Sequence, residues 1–267
     1  MAVGRRIGNW KEEVYNRPQD PNISQKEWIK SIGDVFKKKG ALREVYKDYY
    51  QEILKLSVEG KTLEVGSASG NLGDLFDDII FTDIVPSPWT NVVADAQQLP
   101  FPDSSFANVI AVDVLHHIEW PIYFLEEASR LLKPGGKLIL LEPAITLGSW
   151  LLCKYYHVEE MDMSADPLKR GIIDPLRDSR LANLATPTLL QGKYNSKLKA
   201  ALPEFEQFDF RHLTLLAWPL SGAFKPWCLI PHWAVQPILS LERLLLPFVG
   251  RFLSFRLMLS FTRRGNS

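Results

Sequence analysis

Cysteine is nearly missing from this 267-residue chain, which holds Cys153 and Cys228 and no other. The two match neither a disulfide framework nor the paired ligand spacing of a zinc site, and a reducing, cytoplasmic setting is the expectation. An excess of either charge is missing too. Lys plus Arg and Asp plus Glu stand at 31 each, so the chain lacks the broad positive field that draws a protein onto nucleic acid phosphates, and no nucleic-acid partner is expected. No run of about twenty uncharged apolar residues occurs, which argues against a spanning helix. The leading stretch MAVGRRIGNWKEEVYNRPQD carries charges and prolines where a secretory signal has its apolar core, which argues against export. Internal repeats and low-complexity tracts are not found.

What is present suits a globular interior: hydrophobic residues make up 46% and charged residues 23%. The length fits one α/β domain with an extension and an insertion. Residues 1–44 read as a helical N-terminal extension, serving as a lid or as packing, with a helix predicted from Gln25 to Lys39 and ended by Gly40. Leu42, Val45, Tyr49, Ile53 and Leu56 recur at helical spacing and predict a helix over 41–56, leading into a main domain over 45–267. Short apolar runs at 62–65, 79–83, 92–94, 108–112 and 137–142 alternate with turns and helical stretches, the pattern of a parallel sheet with crossovers. Between the last two, Pro121 opens a helix with Ile122, Leu125, Ser129 and Leu132 on its inner face, and LKPGG at 132–136 ends it. Residues 145–200, rich in Asp, Pro and Arg, read as an insertion over the sheet's upper edge, where substrate pockets are commonly shaped. Two further strands are predicted near 205–216 and 255–263, with helix between them.

The stretch TLEVGSASGNLG, from Thr62 to Gly73, sets a short apolar strand directly before a turn of small residues, where backbone can approach a ligand closely. Alone, such a turn suits a dinucleotide, a mononucleotide or no ligand. Thirteen residues after Gly70, the strand IIFTD ends in Asp83, from which a carboxylate can accept both hydrogen bonds of a ribose diol. The third strand ends in Asp95-Ala96, where the carboxylate can reach an adenine amino group and the small alanine leaves room for the ring. Three successive strand ends would then surround one nucleoside.

Through LEVGSASGNLG, FTD, ADAQQLPFPDSSFANVIAVDVLHHI and LKPGGKLILLEP, residues 45–145 resemble the class I S-adenosylmethionine-dependent methyltransferases, in the subgroup with a compact, type 11-like domain. The resemblance implies a Rossmann-like, doubly wound α/β fold: a seven-stranded, mostly parallel sheet with an antiparallel last strand, fitted by FRLMLSFTRR, and helices on both faces. It implies S-adenosyl-L-methionine as cofactor, the glycine loop on its methionine part, the acid of strand two on its ribose and the acid after strand three beside its adenine. By matching position, cofactor binding falls on Glu64, Gly66, Ser67, Gly70, Asp83, Ile84, Asp95, Ala96 and, near the sulfonium, Asp113. Two departures stand out: Ala68 replaces the loop's middle glycine, and the helix after the loop is about one turn short. The carboxylates also have a plainer reading, loop ordering or capping for Glu64 and Asp83 and turn formation for Asp113.

His116 and His117 lie over the expected transfer position, where an imidazole can accept a substrate proton near neutral pH. His117 is the candidate catalytic base, and His116, His117 and His157 are the candidate substrate contacts, with packing as the alternative for each; His212 is a weaker candidate. No metal-ligand cluster stands out, and no metal is expected. The carboxyl-terminal stretch from about 212 to 267, dense in Trp, Leu, Phe and Pro, reads either as a buried helix plus the last strand, at a dimer contact, or as a pocket or membrane-surface patch for a hydrophobic acceptor. The implied activity is O-methylation of a small-molecule, sugar or glycolipid acceptor in a biosynthetic pathway. Two rivals are an NAD(P)-dependent reductase, whose G-x-G-x-x-G spacing Gly66 to Gly70 does not meet, and a non-catalytic assembly or membrane-associated module on the same fold.

Overall fold

The computed structural model describes residues 24–68, 70–156 and 159–265. Residues 1–23 of the expected N-terminal extension lie outside them. At Ser24 the hydroxyl accepts the Glu27 N–H while the Glu27 carboxylate accepts the Ser24 N–H, a reciprocal cap that opens α1 (Gln25–Lys38). Helix α2 (Gly40–Leu56) follows α1 with one residue, Lys39, between them. Gly40 therefore opens the second helix instead of closing the first. The break falls on Lys39, held out of helical geometry as its Nζ donates to the carbonyls of Ala223 and Lys225 at 2.6 and 3.0 Å.

The seven strands are β1 (Thr62–Val65), β2 (Ile79–Asp83), β3 (Val92–Val93), β4 (Phe106–Val112), β5 (Leu132–Pro143), β6 (Phe205–Leu213) and β7 (Arg256–Arg263), in the spatial order β3-β2-β1-β4-β5-β7-β6. Strand β7 runs antiparallel to β5 and β6 on either side of it, and the other pairings are parallel. This is the doubly wound sheet with an antiparallel last strand that the sequence predicts. Helices cover both faces, so consecutive side chains must both be apolar. On one face Val109, Ala111, Leu138, Leu140, Leu257 and Leu259 meet Ile122, Leu125 and Ala128 of α3 (Pro121–Leu131). On the other, Ile110, Ile139, Leu141 and Met258 meet Leu42, Val45, Tyr49 and Ile53 of α2, with Val235 and Leu239 of α8 (His232–Leu253).

Two connections differ from expectation. Gly70, Gly73, Asp74, Asp77 and Asp78 crowd poor helix formers between β1 and β2, and turns over 70–75 replace the predicted short helix. Strand β5 starts at Leu132 and not at 137: Leu132 pairs with Phe106 and Lys137 with Asn108, so the four residues between bulge from the ladder. Gly136 belongs there because a Cβ would lie 2.9 Å from the Ala107 carbonyl oxygen. The 145–200 insertion is more ordered than its composition suggests, holding α4 (Leu147–Tyr156), α5 (Thr186–Gln191) and α6 (Asn195–Ala201). It is strapped to the sheet's upper edge where Asn183 N–H donates to the His116 carbonyl and Arg177 to the His117 carbonyl.

In the carboxyl-terminal stretch the strand is buried, as one reading had it, but the helix is buried on one side alone. Val235, Leu239, Glu242 and Gly250 of α8 face inward, whereas Leu241, Leu244, Phe248 and Phe252 are exposed. No helix among the described residues is long and apolar enough to cross a membrane. Because β7 seats the sheet's outer half, its Phe261, ringed by Phe205, Phe208 and Phe210 at 4.7 to 5.9 Å between centroids, should be a point of high sensitivity. Phe261→Ala is expected to lower unfolding free energy by about 3–5 kcal/mol, read from the shift of a urea denaturation midpoint.

Candidate functional site

The carboxyl ends of β1, β2, β4 and β5 open on one cavity of about 320 Å³, walled by α1, α2 and the insertion. Its floor is the turn after β1. Gly66 sits at φ +70, and a Cβ there would lie 2.3 Å from Val114 Cγ2, so the turn admits glycine alone. The N–H groups of Gly66 and Ser67 donate to the Thr82 carbonyl at 2.8 and 3.0 Å, tying the loop to β2. Ala68, in the place of the family's glycine, keeps a left-handed φ of 41 and donates its N–H to Asp83 Oδ2 at 2.9 Å. Asp83 Oδ1 accepts the Val85 N–H at 2.9 Å. Asp83 thus orders the loop and lines the cavity at once.

Glu64, Gly66, Ser67, Asp83, Ile84, Asp95, Ala96, Asp113, His116 and His117 all line this cavity. Gly70 does not; it sits against Trp89. His157 lies outside the described residues, and His212 is occupied elsewhere by Ser254 and Gln191. Asp95 is braced by Gln97, whose N–H and side-chain amide donate to it. Asp113, at φ 58, accepts from Tyr46 Oη at 2.9 Å and pairs with the buried Arg256 guanidinium at 2.6 Å. Its turn is therefore pinned from two elements, and Tyr46 and Arg256 are cavity residues that no local pattern in the sequence marks.

Two buried atoms at the end of β1 stand out. Glu64 Oε2 and Ser67 Oγ have no hydrogen-bond partner among the described residues. Burial pushes the Glu64 carboxyl well above its usual range, and the neighbouring Asp83 adds to the rise. A buried carboxylate facing a cavity without a partner fits a ligand that carries positive charge and N–H donors.

On the opposite wall His116 Nδ1 bonds Glu142 Oε2 at 2.5 Å, and Glu142 Oε1 accepts the N–H groups of Val114 and Leu115 at 3.0 and 2.8 Å. Burial alone would push His116 down, but the Glu142 charge and hydrogen bond, with Glu159 and Asp113, outweigh it and raise the imidazole above its ordinary value. Glu159, from the insertion, lies 3.9 Å from His116 Nε2 and 4.0 Å from His117 Nε2. His116, His117 and Glu159 bring three potential ligand atoms within 4.8 Å of one another, a grouping that no spacing in the sequence marks. Sequence separation hid the cluster, because only the folded insertion delivers the carboxylate.

The sign of one pH effect follows. Glu64 titrates higher in the folded chain than the about 4.3 of an unfolded glutamate, so folding is fully supported below that value and weakened as pH rises through the folded value. Glu64→Gln removes this loss. Its melting temperature is expected to match the parent near pH 4 and to exceed it at pH 8, in differential scanning calorimetry of the ligand-free protein.

Residues 39–140 match the family model described as a methyltransferase domain. Among curated relatives, the chain is 33% identical over 85 residues to the 27-O-demethylrifamycin SV methyltransferase of Amycolatopsis mediterranei, covering 32% of this chain and 28% of that one. It is 48% identical over 50 residues to the ubiquinone/menaquinone biosynthesis C-methyltransferase UbiE of Laribacter hongkongensis, covering 19% and 20% respectively. The similarity thus spans less than a third of either relative. A solved structure from Thermotoga maritima, described as a SAM-dependent methyltransferase and possible histamine N-methyltransferase, overlays 90% of this chain and 98% of its own with a TM-score of 0.54 at 18% identity, which shows a shared fold. Strand order, glycine loop and family match agree that residues 39–140 carry a methyltransferase domain.

Proposed function

We propose that the cavity binds S-adenosyl-L-methionine and that the protein transfers its methyl group to a hydroxyl of a hydrophobic small-molecule, sugar or glycolipid acceptor. The observation that carries the first half is the partnerless pair Glu64 Oε2 and Ser67 Oγ, buried beside the glycine turn. Glu64 would accept from the cofactor's ammonium group, which neutralises the carboxylate that burial otherwise disfavours. Asp83 and Asp95 keep lone pairs toward the cavity for the ribose and the adenine amino group, with Ile84 and Ala96 as apolar walls. When bound, the cofactor supplies a methyl already activated on a sulfonium. The chain's own task is to hold acceptor and methyl in line and to keep water out.

Tyr46, Tyr50, Phe36, Trp218 and Phe224 form the water-excluding side of the cavity. A hydroxyl acceptor also has to lose a proton, and His116, His117 and Glu159 are the cluster at which it leaves. His117, the base expected from the sequence, belongs to this cluster, with Glu142 fixing the tautomer of its neighbour His116.

The hydrophobic character of the acceptor is supported by α4 and the end of α8, which touch where Gly148 packs on Leu253. One side of α4 lines the cavity through Ser149 and Cys153, and the other exposes Leu147, Trp150 and Leu151. Beside them lie Phe248 and Phe252 of α8, with Lys154 4.8 Å over the Trp150 ring and Arg251 4.9 Å over Phe252. Aromatic groups flanked by basic ones suit an anionic membrane surface, from which a lipid-linked acceptor would reach the cavity directly.

Two outcomes are expected. In calorimetry the protein binds S-adenosylmethionine and not NADPH, and Glu64→Gln weakens that binding by roughly tenfold or more, as loss of a charge-assisted hydrogen bond of about 1.5–3 kcal/mol requires. Unchanged affinity would remove Glu64 from the site. In flotation with vesicles containing phosphatidylserine, the protein rises with the lipid, and Trp150→Glu with Phe248→Glu leaves it in the soluble fraction; equal flotation of both would exclude this surface.

A further inference from the structure

We infer that His116, His117 and Glu159 form a binding site for one borderline divalent transition-metal ion, of the zinc or iron(II) class, on the acceptor side of the cavity. Two imidazoles and one carboxylate are a three-ligand set that leaves coordination positions open, the arrangement of catalytic metal sites and not of closed structural ones. One ligand atom from each of the three lies within 4.8 Å of the others, and His116 Nε2 and His117 Nε2 stand 3.9 and 4.0 Å from the two Glu159 oxygens. Ligands bonded to zinc at about 2.0–2.1 Å in tetrahedral geometry sit roughly 3.3 Å apart, so the set closes on an ion by side-chain movement of about an ångström.

A second, independent feature points the same way. His116 turns Nδ1 to Glu142 at 2.5 Å, which presents Nε2 to the cluster, and Glu142 is itself locked by the Val114 and Leu115 N–H groups. A carboxylate behind a histidine, fixing its tautomer and raising its basicity, is the usual support of a metal-ligating imidazole. The rings of His116 and His117 lie 4.2 Å apart at a tilt of 40°, which aims both edges at the same carboxylate. The cluster borders the main cavity and a neighbouring one lined by Ile118, Glu119 and Arg177, so the open positions face space that an acceptor can enter. Two nitrogen ligands select a borderline ion over magnesium or calcium, which take oxygen shells.

Binding of the ion stands on this geometry alone; its use rests on the proposed function. There it would receive an oxygen of the acceptor and lower that hydroxyl's pKa, so that the proton is lost to solvent water in the cavity and the metal, in place of a free imidazole base, holds the resulting oxyanion for attack on the methyl.

Equilibrium dialysis of the full chain against Zn²⁺, followed by elemental analysis, is expected to give one ion per chain with micromolar or tighter affinity, and Mg²⁺ at the same concentration is expected not to displace it. Glu159→Gln and His117→Gln should each weaken binding at least tenfold. Both side chains lie at the cavity surface, and unchanged far-UV circular dichroism and melting temperature of the metal-free variants verify folding. Cobalt-loaded protein should lack a thiolate charge-transfer band, which separates this site from Cys153 and Cys228. Absence of stoichiometric binding, retention of full affinity in both variants, or a thiolate band overturns the proposal. S-adenosylhomocysteine binding by the same samples is measured in parallel: its persistence beside failed zinc binding overturns the metal site and leaves the function standing, and its loss beside intact zinc binding does the reverse.

Discussion

A carboxylate buried at a strand end with no partner opposes folding, and everything at the head of this sheet is arranged around one. Glu64 is the penultimate residue of β1, a strand buried along its whole length, and its carboxyl borders the cavity instead of the outer surface. No donor among the described residues reaches Glu64 Oε2, and the adjoining Asp83 carboxylate, itself an acceptor, adds repulsion while it takes the Ala68 and Val85 N–H groups and shapes the loop. Gly66 then folds the backbone flat under Val114, and the space above Glu64 stays open. The consequence is a site that is electrostatically incomplete until a cationic, donor-bearing ligand arrives, which is how local instability becomes binding energy.

The other side of the cavity carries charges that meet opposite charges, although Arg256 Nε and Trp218 Nε1 there also lack a hydrogen-bond partner among the described residues. Asp113 is paired with Arg256, which β7 carries into the interior, and Tyr46 of α2 completes the arrangement. Glu142 holds two backbone N–H groups and His116. These contacts join β4, β5, β7 and α2 at one point. Rigid placement is what a displacement reaction asks of its acceptor side, since the methyl needs no further activation. The insertion then adds Glu159, and α4 and α8 expose apolar side chains next to each other.

Much of this was legible in the sequence, for identifiable reasons. Parallel strands covered on both faces must be continuous apolar runs, so FANVIAV and KLILLE declare themselves, and the amphipathic spacing of Ile122, Leu125 and Ser129 fixes α3. The acids closing β2 and the third strand are marked by position. What sequence did not show are pairings made by tertiary contact: Lys39 drawn out by carbonyls of residues 223 and 225, Arg256 buried against Asp113, Glu142 behind His116, and Glu159 beside two histidines. Each partner comes from an element distant in the chain, and no period or motif encodes it. The bulge at the start of β5 was hidden for another reason, since LKPGG is a fair helix stop and also a strand start.

The central claim is that Glu64 waits, protonated or strained, for a cationic partner. Carbon-13 NMR of the labelled Glu64 carboxyl across pH, without and with saturating S-adenosylhomocysteine, tests it directly. The account predicts a titration midpoint above the ordinary glutamate range in the free protein that falls sharply when the ligand is bound. A midpoint that is ordinary in the free protein, or that does not move on saturation, would contradict it.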